Sequence, residues 1–395
     1  MTIADRWLLP DGVEEILPPQ AGLLEKQRRD LLDLFQSWGY DLVMPPLIEY
    51  LDSLLIGSGS DLDLQTFKVT DQLTGRMMGI RADITPQVSR IDAHSLNREG
   101  PTRLCYCDSV LHTKNMSKLD SRSPIQIGAE LFGYAGIEAD IEVILLLANS
   151  LKLLGMDRAS LDFGHVAIFR SLIAETNLDT QQTDTLFEML QRKSLDEIDQ
   201  FCESNIRDNK LADMVRQLPR LNGGAGILQS ASSVLASAPD ALHQALEQLK
   251  AVAERLNTEI PEVKLYFDLG ELRGYHYHTG LVFAAFAPGL GQALASGGRY
   301  DDVGQAFGRV RPATGFSIDM SRLLRVLETP APVPNGVFVG QAAQQHAFQA
   351  QVAEIRSQGK RVILGLPNQI EDAQQMRCNE QLIYKDNNWV TEPVK

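Results

Sequence analysis

The stretch Asp268–Asp302, reading DLGELRGYHYHTGLVFAAFAPGLGQALASGGRYDD, constrains the fold of this chain more than any other. Leu265–Leu269 and Tyr275–Phe286 are strand-forming runs separated by Gly270 and Gly274, and the turn Pro288–Gly291 leads to a third apolar run, Gln292–Ser296. Short apolar runs with glycines at the bends fit an antiparallel meander. Alternation then places Tyr275, Tyr277 and Thr279 on one face and His276 and His278 on the other. Arg273 falls at a bend, and Gly297-Gly298 opens backbone space before Arg299-Tyr300. Two aromatics, an arginine and a glycine pair on a sheet face fit the floor of a pocket for a small polar ligand. The same spacing fits an ordinary sheet core with an exposed edge.

Upstream, Ala21–Trp38 reads as an amphipathic helix with Leu24, Leu31, Phe35 and Trp38 on one face, stopped by Gly39. A strand, Tyr40–Met44, ends at Pro45-Pro46. Phe67–Val69 and Arg76–Ile80 read as short strands flanking a hairpin turn, Asp71–Gly75. Asp83 and Thr85 then precede a helix, Pro86–Ala93, where either side chain suits a helix cap or a ligand. Leu104–Val110 and Ile125–Phe132 are β-runs joined by the polar loop His112–Pro124, which holds three lysines or arginines and three serines. On the second run Gln126, Gly128 and Glu130 share a face, and an acid between Ala129 and Leu131 needs a partner if buried. Ile137–Leu154 is a long apolar helix, Leu161–Phe169 is strand-like, and Glu175–Leu256 has helical periodicity with little β character. Ala313–Arg325 reads as a strand running into a helix. A proline-rich segment leads to a tail with alternating strand and helix patterns: strand Gly336–Gly340, helix Gln344–Ser357, strand Arg361–Leu366, helix Gln369–Cys378 and strands Gln381–Lys385 and Trp389–Val390.

RGYHYHTG at Arg273–Gly280 and GGRYDD at Gly297–Asp302 resemble the two histidine-recognition signatures of histidyl-tRNA synthetase, a class II aminoacyl-tRNA synthetase. LLPDGVEEILPP near the N-terminus and IRADITPQVSRI at Ile80–Ile91 are more similar to its paralogues, the regulatory subunits of ATP phosphoribosyltransferase. The resemblance implies an α+β fold: a class II synthetase-like antiparallel sheet of six or seven strands flanked by helices. It implies a domain over residues 1–328 with a helical insertion at 170–258, a linker at 329–335, and a truncated anticodon-domain-like α/β unit at 336–395. It also implies a homodimer interface around Pro46 and a histidine site. There Asp83 and Thr85, with Gln126, take the amino group, Glu130 the imidazole and Arg273 the carboxylate, with Tyr277 and His278 beside the ring.

The second half of the synthetase site departs from the family. The Phe-Arg-x-Glu pattern of motif 2 reads Leu111-His112-Thr113-Lys114 here, so a permanent bidentate cation is replaced by an imidazole with a pKa of about 6.5. Loss of one transition-state clamp typically lowers a rate about a hundredfold or more. In motif 3, Arg322 remains but the preceding acid is Ser321. Amino-acid recognition retained without adenylation implies a non-catalytic regulatory subunit in the cytoplasm. Its expected partners are a short-form ATP phosphoribosyltransferase catalytic subunit, a second copy of itself and L-histidine, in the first step of histidine biosynthesis. The alternative is a divergent, active histidyl-tRNA synthetase.

The net charge of −14 weighs against a tRNA partner. No apolar run approaches the ~20 residues that span a bilayer, so no membrane partner is expected. Four scattered cysteines form no disulfide framework, and the His276/His278 pair has no third ligand beside it, so neither metal nor cofactor is expected.

Overall fold

The computed structural model describes residues 7–56, 60–115, 120–275, 277–327, 335–341, 343–370 and 372–394. The chain divides into two units, residues 1–327 and 328–395. His276 and most of the proline-rich segment lie outside the described residues.

In the first unit, helix α1 (Gln20–Ser37) is followed by strands β1 (Asp41–Leu42) and β2 (Ile48–Tyr50) and short helices α2 (Leu51–Leu54) and α3 (Ser60–Gln65). Strands β3 (Phe67–Thr70) and β4 (Met77–Ile80) lead to helix α4 (Thr85–Arg90), which continues as a π-helical turn to Leu96. Next come β5 (Thr102–Ser109), β6 (Ile125–Phe132), α5 (Ile137–Leu153), β7 (Ser160–His165) and α6 (Val166–Ala174). A mostly helical segment follows, with α7 (Thr180–Gln191), α8 (Leu195–Asn205), α9 (Asn209–Gln217), β8 (Asn222–Gly223), α10 (Ile227–Val234) and α11 (Asp240–Glu259). Strands β9 (Lys264–Asp268), β10 (Leu281–Phe286), β11 (Ala295–Arg299) and β12 (Ala313–Asp319) and helix α12 (Met320–Val326) complete the unit.

The main sheet has nine strands in the order β1-β5-β6-β12-β11-β10-β7-β9-β8. Its centre, β5 to β7, is antiparallel, but β1 pairs with β5 and β7 with β9 in parallel. The expected sheet is therefore wider and mixed. The expected meander is also interrupted, because β7 lies between β9 and β10. A separate three-stranded sheet, β2-β4-β3, contains the expected hairpin.

Helix α1 buries Leu24, Leu31 and Phe35, spaced to fall on one face. Phe35 meets Phe316 of β12 edge-on at 5.8 Å, which fixes the helix on the sheet. On the same side α5 buries Val143, Ile144 and Leu147. Two further departures have local causes. Val166–Phe169, expected in a strand, begins α6, because the His165 imidazole accepts the Ala167 N–H and caps the helix. The described residues of Tyr275–Gly280, expected within a strand, follow a turn at the expected bend instead: Gly274 has φ +66°, and its carbonyl accepts both the Tyr277 and His278 amides.

The second unit is a four-stranded sheet, β14-β13-β15-β16, formed by β13 (Val337–Val339), β14 (Val362–Leu364), β15 (Glu380–Lys385) and β16 (Asn388–Pro393), with helix α13 (Gln349–Ser357). Asp386 and Asn387 both have positive φ between β15 and β16, as a two-residue hairpin requires. The helix expected at Gln369–Cys378 is instead a single turn over Asp372–Met376, ended by the left-handed Arg377.

Arg299 anchors β11 to α5. Its guanidinium is 2.7 Å from Asp140, and the two side chains are 10% and 2% exposed. Removing one partner of such a pair leaves a buried charge uncompensated. Asp140→Ala should lower stability by about 3 kcal/mol in urea denaturation, and an unchanged midpoint would show that the pair is not structural.

Candidate functional site

The site is built on one face of the sheet. Alternation along β6 puts Gln126, Gly128 and Glu130 on that face. Register across β12 and β11 sets Gly315 and Gly298 beside Glu130, and Ser317 and Ser296 beside Gly128. A methyl group at Gly315 would overlap the Glu130 carboxyl, so the glycine is what lets this side chain lie over the neighbouring strand. The resulting cavity, about 130 Å³, is lined by Asp83, Thr85, Glu130, Tyr277, His278 and Tyr300, over a floor that includes Ser296, Gly297, Gly315 and Ser317.

Glu130 is 1% exposed. It accepts hydrogen bonds from Tyr300 Oη at 2.5 Å, Thr85 Oγ1 at 3.0 Å and Tyr106 Oη at 3.1 Å. Among the described residues no lysine or arginine pairs with it. Burial pushes its pKa up to about 8, and the three hydroxyls offset that only in part. Tyr277 Oη and His278 Nδ1 are buried, and neither has a hydrogen-bond partner among the described residues. Burial also pushes the His278 imidazole down to about 4, so the ring is neutral at pH 7. An acid lacking a cation and two polar groups lacking partners form a cavity complementary to a small ligand with N–H donors.

Asp83 sits at the rim. Its Oδ1 accepts from Gln126 Nε2 at 2.8 Å and from the Thr85 amide at 3.2 Å. Gln126 Oε1 in turn accepts the Ile84 amide at 3.0 Å. Gln126 therefore holds Asp83 in place, and Asp83 combines a capping contact with access to the cavity.

Arg273 does not line this cavity. It lines an adjoining one of about 130 Å³ with Asp162, Glu271 and His278, and it pairs with Glu271 at 2.7 Å. Tyr275 also departs from expectation. The turn at Gly274 sends its ring toward Phe169 and Phe187, at 5.4 and 5.2 Å, away from Tyr277. Tyr106 and Tyr300 are functional candidates that the sequence reading leaves out of the site. The signal for Tyr106 is its register opposite Gly128, an aromatic facing a glycine across paired strands. For Tyr300 it is the glycine pair just before it.

A third cavity, about 150 Å³, is lined by His112, Gln126, Asp319 and Arg322. Its cation is already committed. Arg322 Nε lies 3.1 Å from Asp120 and 3.3 Å from Asp319, and Nη1 donates to the Ala293 carbonyl at 2.8 Å. His112 Nε2 faces the Ala82 carbonyl at 2.9 Å, and Lys114 is exposed. No cluster of metal-ligating side chains occurs among the described residues.

The raised pKa of Glu130 carries a stability consequence. Folding stability from a carboxyl shifted upward is complete below its unfolded pKa of about 4.5 and is lost as pH rises through the folded value near 8. Glu130→Gln should therefore raise the melting temperature more at pH 8.5 than at pH 5. Equal shifts at both pH values would mean that Glu130 is ionised throughout.

Residues 12–323 match the family model for histidyl-tRNA synthetase, and residues 334–392 match that for the ATP phosphoribosyltransferase subunit HisZ C-terminal domain. ATP phosphoribosyltransferase regulatory subunits from Chromohalobacter salexigens and Thioalkalivibrio sulfidiphilus are 50% and 53% identical to the chain. The first alignment covers 100% of both proteins, the second 97% of both. A crystal structure described as an ATP phosphoribosyltransferase regulatory subunit/histidyl-tRNA synthetase from Bacillus halodurans superposes with a TM-score of 0.83 at 26% identity, covering 94% of this chain and 95% of that one. A histidyl-tRNA synthetase from Nostoc shares the fold, with a TM-score of 0.80 at 17% identity over 98% of this chain and 97% of the other. The chain belongs to the family of ATP phosphoribosyltransferase regulatory subunits, built on the class II synthetase fold of histidyl-tRNA synthetase.

Proposed function

We propose that this chain is a non-catalytic histidine sensor that assembles with a short-form ATP phosphoribosyltransferase catalytic subunit, activates it, and relays feedback inhibition. The observation that carries this reading is the division of the site. The Glu130 cavity keeps an uncompensated acid and unpartnered polar groups, whereas the neighbouring cavity has its arginine neutralised from within. A triphosphate needs free cations, and Arg322 is held by two carboxylates. That pairing supports a regulatory chain without adenylation over a divergent synthetase.

In the bound state the ligand imidazole donates to Glu130 and packs between Tyr277 and His278. Asp83, fixed by Gln126, and Thr85 take the ammonium group. Histidine then shifts the complex toward a less active state by its difference in affinity for the two conformations. The same reading includes a homodimer around Pro46, supported by Leu42, Met44, Leu47 and Ile48, which are 44%, 77%, 49% and 44% exposed beside the sheet-edge strand β1. The net charge of −14 favours no tRNA role.

Isothermal titration with L-histidine and then ATP is the direct check. Histidine should bind and ATP should not. ATP binding that tightens with histidine would overturn the sensor reading in favour of a synthetase. Glu130→Gln should weaken histidine binding about tenfold, the order expected when a buried hydrogen bond to the ligand is left poorly satisfied. It should also relieve histidine inhibition of the assembled complex without preventing assembly. Gly315→Ala should act the same way by displacing the Glu130 carboxyl, and normal histidine affinity in that variant would count against the geometry.

A further inference from the structure

We infer that Glu271 is a built-in competitor for Arg273, occupying the guanidinium until the carboxylate of a ligand displaces it. The inference rests on the reading of the Glu130 cavity as an amino-acid site.

The three cavities on the sheet face adjoin one another. Ser296 lines all three, and His278 and Gly297 line both the Glu130 cavity and the Arg273 cavity. An α-amino acid brings a carboxylate, yet the polar residues of the Glu130 cavity are acids, hydroxyls and a neutral imidazole. A buried carboxylate without a cation is strongly disfavoured, so the ligand must recruit one from next door. Among the described residues two arginines line the adjoining cavities, Arg322 and Arg273. Arg322 is 23% exposed and bound by two carboxylates and a carbonyl. Arg273 is 47% exposed, and its side chain has a single carboxylate partner, Glu271 at 2.7 Å. Asp162 lines the same cavity but makes no ion pair with Arg273.

Glu271 is placed to imitate a ligand carboxylate. Its Oε2 takes the Arg273 guanidinium, and its Oε1 accepts the Arg273 backbone amide at 2.7 Å. Both oxygens are thus held by one residue, two positions away in a turn. An ion pair this exposed is weak and readily exchanged. Arg273 therefore changes partner rather than waiting unpaired, and Gly274, at φ +66°, marks the bend beside it. The apparent affinity for the ligand is lowered by the fraction of molecules in which Glu271 holds the arginine.

The test is calorimetric titration of the full chain and its variants with L-histidine and with L-histidinol, which carries a hydroxymethyl group in place of the carboxylate. Glu271→Gln should tighten L-histidine about two- to fivefold, the range expected for removing a competing exposed pair, and leave L-histidinol unchanged. Arg273→Met should abolish the preference for L-histidine over L-histidinol. Unchanged or weaker histidine binding in Glu271→Gln overturns the competition, as does equal tightening of both ligands. If histidine binding depends on Glu130 but ignores Glu271, the competition falls and the pocket stands. If the unaltered chain binds neither ligand, both fall.

Discussion

A carboxyl group sealed into a sheet face without a cation is the constraint around which the site is arranged. Glu130 could lie there only because Gly315 leaves the adjacent strand bare and because Thr85, Tyr106 and Tyr300 turn their hydroxyls toward it. Those three donors come from α4, β5 and the end of β11, so the acid ties together elements far apart in sequence. Neutral donors moderate the cost of burial without cancelling it. A site left in that condition gains most from a ligand that supplies the missing N–H groups.

Charge is handled in the opposite way in the neighbouring cavity on the same face. Arg322 is closed off by Asp120 and Asp319. Internal neutralisation makes Arg322 a structural strut. One half of the face is therefore electrostatically incomplete and the other half satisfied.

Much of this was legible in the residues. The bounds of β6 follow from strict alternation between a glycine-containing polar face and an apolar one, and α5 follows from a long apolar run with acids at its start and a glycine after its end. Asp83, Thr85, Glu130, Tyr277 and His278 do converge on one cavity. The failures share a cause. Val166–Phe169 is apolar at every position and carries no period, so the cap made by His165 decided its conformation. The strand expected from Tyr275 onward begins only at Leu281, after a turn at one left-handed glycine, and the expected separation of Tyr277 from His278 is lost with it. Sheet order is not local information, so nothing near β9 or β10 announces that β7 separates them. The hold of Glu271 on Arg273 depends on how a turn folds back, which side-chain periodicity does not encode.

The parallel pairing of β7 with β9 has a consequence for how this protein can change. Two neighbouring strands that run the same way cannot be joined by a tight turn; the chain must travel back across the sheet, commonly through a helix. Here α6 to α11 make that return journey, and α11 packs on α6 and beside β7. The helical segment is thus a structural bridge as well as an insertion. Evolution or an engineer can trim and resurface it, but excising it whole would strand the sheet's far edge.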